Sequence, residues 1–214
     1  MSKVIHIDPD NPSAEAVNLA ATVLREGGIV VFPTETVYGI GASATSCFGP
    51  QEIIDIKVRP KSKPLPWLVE NRDALDTYGV DVPDYARRLA DGLWPGALTI
   101  VVNAAEAVAP EFRDSRGTVA LRCPDNELVQ ELLRASGKPI ITTSANTSGQ
   151  PSAASFDELE ERIIAAADLI LDGGETRHGT ASTVVDCSGE LPVVTREGAI
   201  PAKQVMEVAA GPMS

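Results

Sequence analysis

Short apolar runs rich in valine and isoleucine recur along this chain, and longer segments rich in Ala, Leu, Glu and Arg separate most of them. Runs of the first kind bury as strands and segments of the second kind cover them as helices, so the alternation restricts the fold to an α/β sheet packed by helices. Strands are expected over residues 29–32, 65–69, 98–102, 119–122, 140–142, 169–171, 183–185 and 193–195. An opening helix is expected to start at Asn11-Pro12 and to stop at Gly27-Gly28, because proline suits a first helical turn and glycine a helix end. Further helices are expected over 51–57, 84–93, 126–135, 156–166 and 202–208. Helices and strands do not alternate strictly, which predicts a mixed sheet. No internal repeat and no Pro/Gly/Ser linker divides the chain, so residues 1–214 are read as one domain.

A domain of this length buries ~70% of its extended surface and needs no covalent or metal staple. Cys47, Cys123 and Cys187 are far apart, and His6 and His178 are the only histidines. Neither a zinc site nor a disulfide framework is expected, and Cys47 and Cys123 read as packing residues rather than nucleophiles. The start has no charged-then-apolar signal, and no apolar run approaches the ~18 residues of a membrane span. A cytoplasmic location without membrane contact is expected. Lys plus Arg number 18 and Asp plus Glu 30, a formal charge of −12. Such a field disfavours broad electrostatic binding to nucleic acid or anionic lipid, but it leaves room for a local basic pocket.

Residues 55–72 break the acidic pattern with Lys57, Arg59, Lys61, Lys63 and Arg72 against Asp55 and Glu70. In KVRPKSKP the cations fall on every second position, and the prolines forbid a helix after Val58. Extended chain would set all four on one side, either as a grip for polyphosphate or as a solvated charged loop. PTETVYGIG follows an apolar strand and reads either as a ligand-binding loop or as a polar turn. Residues 39–44 fit a loose G-x-G-x-x-A, but the glycines come too late after the strand for a dinucleotide turn. TTSANTSGQPS is rich in small donors that suit a nucleotide or cap their own backbone. Arg122 and Arg196 each end a short strand, where a guanidinium serves a cleft or a rim ion pair. Phosphate-loop, zinc-protease and serine-hydrolase motifs are missing, and a histidine base is not expected.

Taken in order, PTETVYGIG, KVRPKSKPL, VALRCP, TTSANTSGQPS, STVVD and TREG resemble the motifs of the YrdC-like threonylcarbamoyl-AMP synthases, over nearly the whole chain. The resemblance implies the short, single-domain type: a three-layer fold around a twisted mixed sheet, with helices on both faces and a basic concave surface. It implies condensation of L-threonine, bicarbonate and ATP, with Mg2+, into threonylcarbamoyl-adenylate, with release of pyrophosphate. It also implies a downstream tRNA threonylcarbamoyl transferase as partner, while the acidic charge leaves tRNA binding weak or absent. An RNA-binding module and a carbamoyl-adenylate-handling transferase domain are the alternatives.

Residue by residue, the resemblance assigns L-threonine to Thr36, Arg122, Thr142 and Ser182, with Arg122 pairing its carboxylate. ATP falls to Arg59, Lys63, Thr118, Ser144, Asn146, Ser152 and Arg196. Lys57 and Arg59 are the catalytic pair, with Lys57 at bicarbonate or carbamate. Many relatives carry a histidine where this chain has Leu68, so the threonine pocket is expected to lose one polar contact.

Overall fold

The computed structural model describes residues 3–44, 51–57 and 65–211. Its strands are β1 (Lys3–His6), β2 (Val30–Pro33), β3 (Tyr38–Ser43), β4 (Trp67–Leu68), β5 (Leu98–Asn103), β6 (Thr118–Arg122), β7 (Ile140–Ser144), β8 (Leu169–Asp172), β9 (Thr183–Asp186) and β10 (Val193–Arg196). The helices are α1 (Ala14–Arg25), α2 (Gln51–Lys57), α3 (Ala74–Tyr78), α4 (Asp84–Leu93), α5 (Glu127–Ser136), α6 (Glu161–Ala166) and α7 (Ala202–Ala210). The strands form one sheet in the order β1-β8-β2-β3-β7-β4-β6-β5-β9-β10. Parallel pairs such as β2–β8 and β5–β9 sit beside antiparallel pairs such as β3–β7 and β5–β6, so the sheet is mixed, as the sequence predicts. No described helix is long and apolar enough to cross a membrane.

Strand periodicity sorts neighbouring residues onto opposite faces. Val30, Phe32, Leu68, Ile140 and Leu169 pack with Val17 and Leu24 of α1 and with Leu128 and Leu132 of α5. The intervening Val31, Trp67, Ile141 and Ile170 turn the other way, into a cluster with Ile53 of α2, Leu89 of α4, Ile163 of α6 and Val205 of α7. Helices therefore cover both faces, giving the three expected layers. The first face continues across β6, β5 and β9. Leu68 is paired with Arg122, Ala120 with Val101, Thr99 with Val184, and Val101 with Asp186, and paired residues share a face. There α1 and α5 give way to polar side chains and a hollow.

The expected element positions hold with local changes. Ser13, not Asn11-Pro12, starts the first helix, because its hydroxyl accepts the Ala16 N–H at 3.3 Å. Residues 156–166 split into a 3-10 turn at Phe156–Glu158 and α6. β1 and α3 were not expected, and β3 takes the last four residues, Tyr38 to Gly41, of the loop expected over 33–41. Two glycines hide β3 from propensity reasoning, since glycine weakens an isolated strand. Here close approach requires them: a Cβ on Gly41 would stand 2.8 Å from Ile140 Cγ2 and 3.0 Å from the Ile141 carbonyl. Gly41→Ala is expected to destabilise the protein by about 2 kcal/mol, measured by urea unfolding, because packed cores resist added volume.

Candidate active site

A cavity of about 540 Å3 occupies the sheet face that α1 and α5 leave uncovered. Leu68, Val101, Ala120 and Val184 give it an apolar floor. Thr34 and Thr36 enter from the β2–β3 connection, Thr142 and Ser144 from β7, and Ser182 from the residue before β9. Arg116, Arg122 and Arg196 also line it, with Asp186.

Each of these guanidiniums is anchored by protein acceptors. Arg122 donates from Nη2 to Glu35 Oε1 at 2.7 Å and Thr36 Oγ1 at 3.0 Å, and from Nε to Gly96 O at 3.3 Å. Arg196 donates from Nε and Nη2 to Ser182 O at 3.1 and 2.8 Å, and from Nη2 to Ser182 Oγ at 3.1 Å. Arg116 uses Nη1 on Asp186 Oδ2 at 2.5 Å and Nε on Asp114 Oδ2 at 3.2 Å. One terminal nitrogen of each, Nη1 of Arg122 and Arg196 and Nη2 of Arg116, has no partner among the described residues. Fixed donors with an open edge are what an anion site needs. Arg196 alone of the three has no carboxylate partner among those residues. Burial, then the nearby Arg122 charge, hold its guanidinium below the ordinary arginine range, so the two cations share one hollow.

A register shift between Val194 and Arg196 aims Arg196. Val194 pairs with Val185, and Arg196 pairs with Val184 instead of Thr183. In an unbroken ladder Arg196 would point to the helix-covered face opposite. The extra residue, Thr195, turns it back to the cavity, which both side chains line. Gly198 lets this segment lie close to the Ser182 strand, since a Cβ there would meet the Ala181 carbonyl at 2.1 Å.

Lys57 departs from the expected extended row. It ends α2, is 2% exposed, and does not line the cavity. Its Nζ donates to the Ser144 carbonyl, to Asn146 O at 2.6 Å and to Asn146 Oδ1 at 3.0 Å. Asn146 Oδ1 also accepts from Ser144 Oγ at 2.5 Å. Lys57 thereby fixes the loop after β7 from behind the wall. Thr118, buried in β6, and half-buried Ser152 are not wall residues either. Arg59, Lys61, Lys63 and Cys47 lie outside the described residues. Thus, of the sequence-predicted site residues, Thr36, Arg122, Thr142, Ser144, Ser182 and Arg196 line one cavity. Sequence reasoning missed Arg116 and Asp186, although STVVD carries a signal: the period-two pattern puts Asp186 on the face of Ser182 and Val184.

Two titration properties follow from these contacts. Burial pushes the Cys123 thiol up to about 11 and the Cys187 thiol up to about 12, which removes both as thiolate nucleophiles near neutrality. Burial also raises Asp186, but Ser188 Oγ at 2.6 Å, its N–H at 3.0 Å and Arg116 outweigh it, holding the carboxyl below its ordinary range. A lowered folded pKa gives stability that is complete above the unfolded value near ~3.9 and is lost as pH falls through the folded one. Asp186→Asn is expected to cost about 1 kcal/mol at pH 7 and to flatten the decline in melting temperature below about pH 4.

The Sua5/YciO/YrdC family model, described as telomere recombination, matches residues 22–198. The threonylcarbamoyl-AMP synthase of Pyrococcus abyssi is 38% identical over 192 residues, 90% of this chain and 56% of that protein. The chain thus spans little more than half of that relative. The crystal structure of Pyrococcus abyssi Sua5 complexed with L-threonine superposes with a TM-score of 0.92 at 35% identity, covering 98% of this chain and 61% of the other. Escherichia coli YciO superposes with a TM-score of 0.87 at 29% identity, covering 96% of this chain and 100% of the other. Six motifs in order, a shared three-layer fold and a family match over most of the length lead to one conclusion: this chain belongs to the Sua5/YciO/YrdC family.

Proposed function

We propose that this chain condenses L-threonine, bicarbonate and ATP into threonylcarbamoyl-adenylate and releases pyrophosphate. The observation that carries the reading is one cavity that gathers Thr36, Arg122, Thr142, Ser144, Ser182 and Arg196 from separate stretches of sequence. A relative of similar fold is named for this product, and another solved relative is complexed with L-threonine. The hollow has the size of a small-molecule site, which argues against an RNA-binding module.

The chemistry needs several anions brought together. The threonine amine adds to bicarbonate and water leaves, forming a carbamate. A carbamate oxygen attacks the α-phosphorus and the bond to pyrophosphate breaks. Such a reaction draws on proximity and on fixed positive charge more than on a protein base. Arg122 Nη1 and Thr36 Oγ1 take the threonine carboxylate, with Thr142 and Ser182 beside its amine and hydroxyl. Ser144 and Arg196 face the nucleotide phosphates, and Arg59 and Lys63 are assigned there with them. Lys57 and Asn146 hold the Ser144 loop, and Thr118 and Ser152 support the nucleotide end from outside the wall. Leu68 lies in the apolar floor, where it offers the substrate packing and no hydrogen bond.

Magnesium finds no ligand set in the described wall: Asp186 is its one carboxylate, and both of its oxygens are engaged. The triphosphate oxygens are the remaining ligands for that ion. The adenylate would pass to a tRNA threonylcarbamoyl transferase in the cytoplasm, with the tRNA held by that partner. The test mixes the purified chain with all three substrates, omits each in turn, and follows pyrophosphate and the adenylate by mass spectrometry. Product in the absence of threonine or bicarbonate overturns the reading, as does no product with all three.

A further inference from the structure

Glu35 lies between two wall threonines, yet its own side chain is 1% exposed and stands behind Arg122, off the cavity wall. Oε1 accepts from Arg122 Nη2 at 2.7 Å and from the Asp125 N–H at 3.2 Å. Oε2 is buried with no hydrogen-bond partner. An unsatisfied buried carboxylate oxygen is destabilising, so this pair is not arranged for stability alone.

Its effect on Arg122 can be counted. A guanidinium carries five N–H donors. The Nε donor goes to Gly96 O, and the two on Nη2 go to Glu35 and Thr36. The cavity is left with Nη1. An arriving carboxylate therefore meets one nitrogen instead of a two-pronged fork, and it meets a cation already partly cancelled from behind. The cancellation also matters in the empty cavity, because Arg196 stands close enough to feel the Arg122 charge.

We propose that Glu35 is a positioning residue that sets how strongly the cavity prefers an anionic head group over a neutral one, by choosing which edge of Arg122 is open and by offsetting its charge. The inference rests on the reading of Arg122 as the partner of the threonine carboxylate. It concerns selectivity, which a purely structural ion pair would not control.

Calorimetric binding of L-threonine and of L-threoninamide, its neutral counterpart, to the full chain and to Glu35 variants tests this. The readout is the ratio of the two dissociation constants. Glu35→Gln keeps an acceptor for Nη2 but removes the charge, and the preference for L-threonine is expected to rise about tenfold. Glu35→Asp draws the charge back by one methylene, and the preference is expected to rise about threefold. A role confined to the fold would weaken both ligands alike, and an unmoved ratio overturns the proposal. If Glu35→Gln does not fold, the Glu35→Asp ratio decides alone by the same criterion. Wild-type protein that binds no L-threonine overturns the functional reading and this inference together. Wild-type binding with an unmoved ratio overturns only the role of Glu35.

Discussion

Arg196→Ala is expected to lower the rate of pyrophosphate release by about 10²–10³-fold, the loss typical when one fixed donor to developing charge is removed. Arg122 is offset by Glu35, and Arg116 by Asp186 and Asp114, whereas Arg196 is held by the neutral carbonyl and hydroxyl of Ser182. It therefore brings the most uncancelled positive charge to the described wall. The same feature limits the structural cost, since Arg196 lies on the edge strand with part of its side chain in solvent, and the melting temperature is expected to move little. Arg196→Lys is expected to rescue poorly, because one ammonium cannot reproduce the Nε and Nη2 bonds to Ser182. Steady-state kinetics with each substrate varied, alongside thermal melts, checks this. Near-normal turnover in a folded Arg196→Ala protein would falsify the anion-site assignment.

Lys57→Met is expected to act in the opposite proportion. The substitution leaves Ser144 O, Asn146 O and Asn146 Oδ1 without their ammonium donor in a buried place. Ser144 O keeps the Asn146 N–H and Asn146 Oδ1 keeps Ser144 Oγ, so among the described residues only Asn146 O is orphaned. Three hydrogen bonds from a charged donor are nevertheless lost, and at about 1 kcal/mol each the loss is about 3 kcal/mol, or roughly 6–12 °C in melting temperature for a chain of this size. Turnover is expected to fall as well, because Ser144 Oγ is bonded to the same Asn146 oxygen that Lys57 holds. Denaturant unfolding and turnover, measured on one preparation, separate two roles for this lysine. Lost turnover with unchanged stability would mean that Nζ meets bicarbonate or carbamate directly, as the family resemblance implies. Loss of both supports the scaffold role its burial suggests.

The segments that carry the site were legible because each combines residue types that local structure alone does not require. Hydroxyls and glycines directly after an apolar run, or an arginine at the end of one, stand out in a linear reading. Element positions were legible for a related reason: α2 and α4 fall on the residues where periodicity predicts them, and apolar spacing is a property of near neighbours. β3 was not legible, since Gly41 answers to Ile140 and Ile141, and Gly39 to Thr142, about a hundred residues away. Lys57 was counted in the extended cation row on its spacing although it also ends the helix expected over 51–57, and its burial was not legible because its acceptors lie 87 and 89 residues further on.

What the sequence determined by itself is the alternation that makes a mixed sheet between helices, and the short polar segments at strand ends that supply chemical groups. Tertiary structure alone decided which of those groups meet. Strand order brings β7 beside β3 and sets β6 between β4 and β5, so that Thr36, Thr142 and Arg122 border one hollow. It also decided how their charge is offset and aimed, through Glu35 behind Arg122 and the one-residue register shift before Arg196. The physical reason is range. Periodicity and capping act over a few residues, whereas strand pairing, burial of an ion pair and the face on which a side chain emerges depend on contacts that exist only once distant strands have docked.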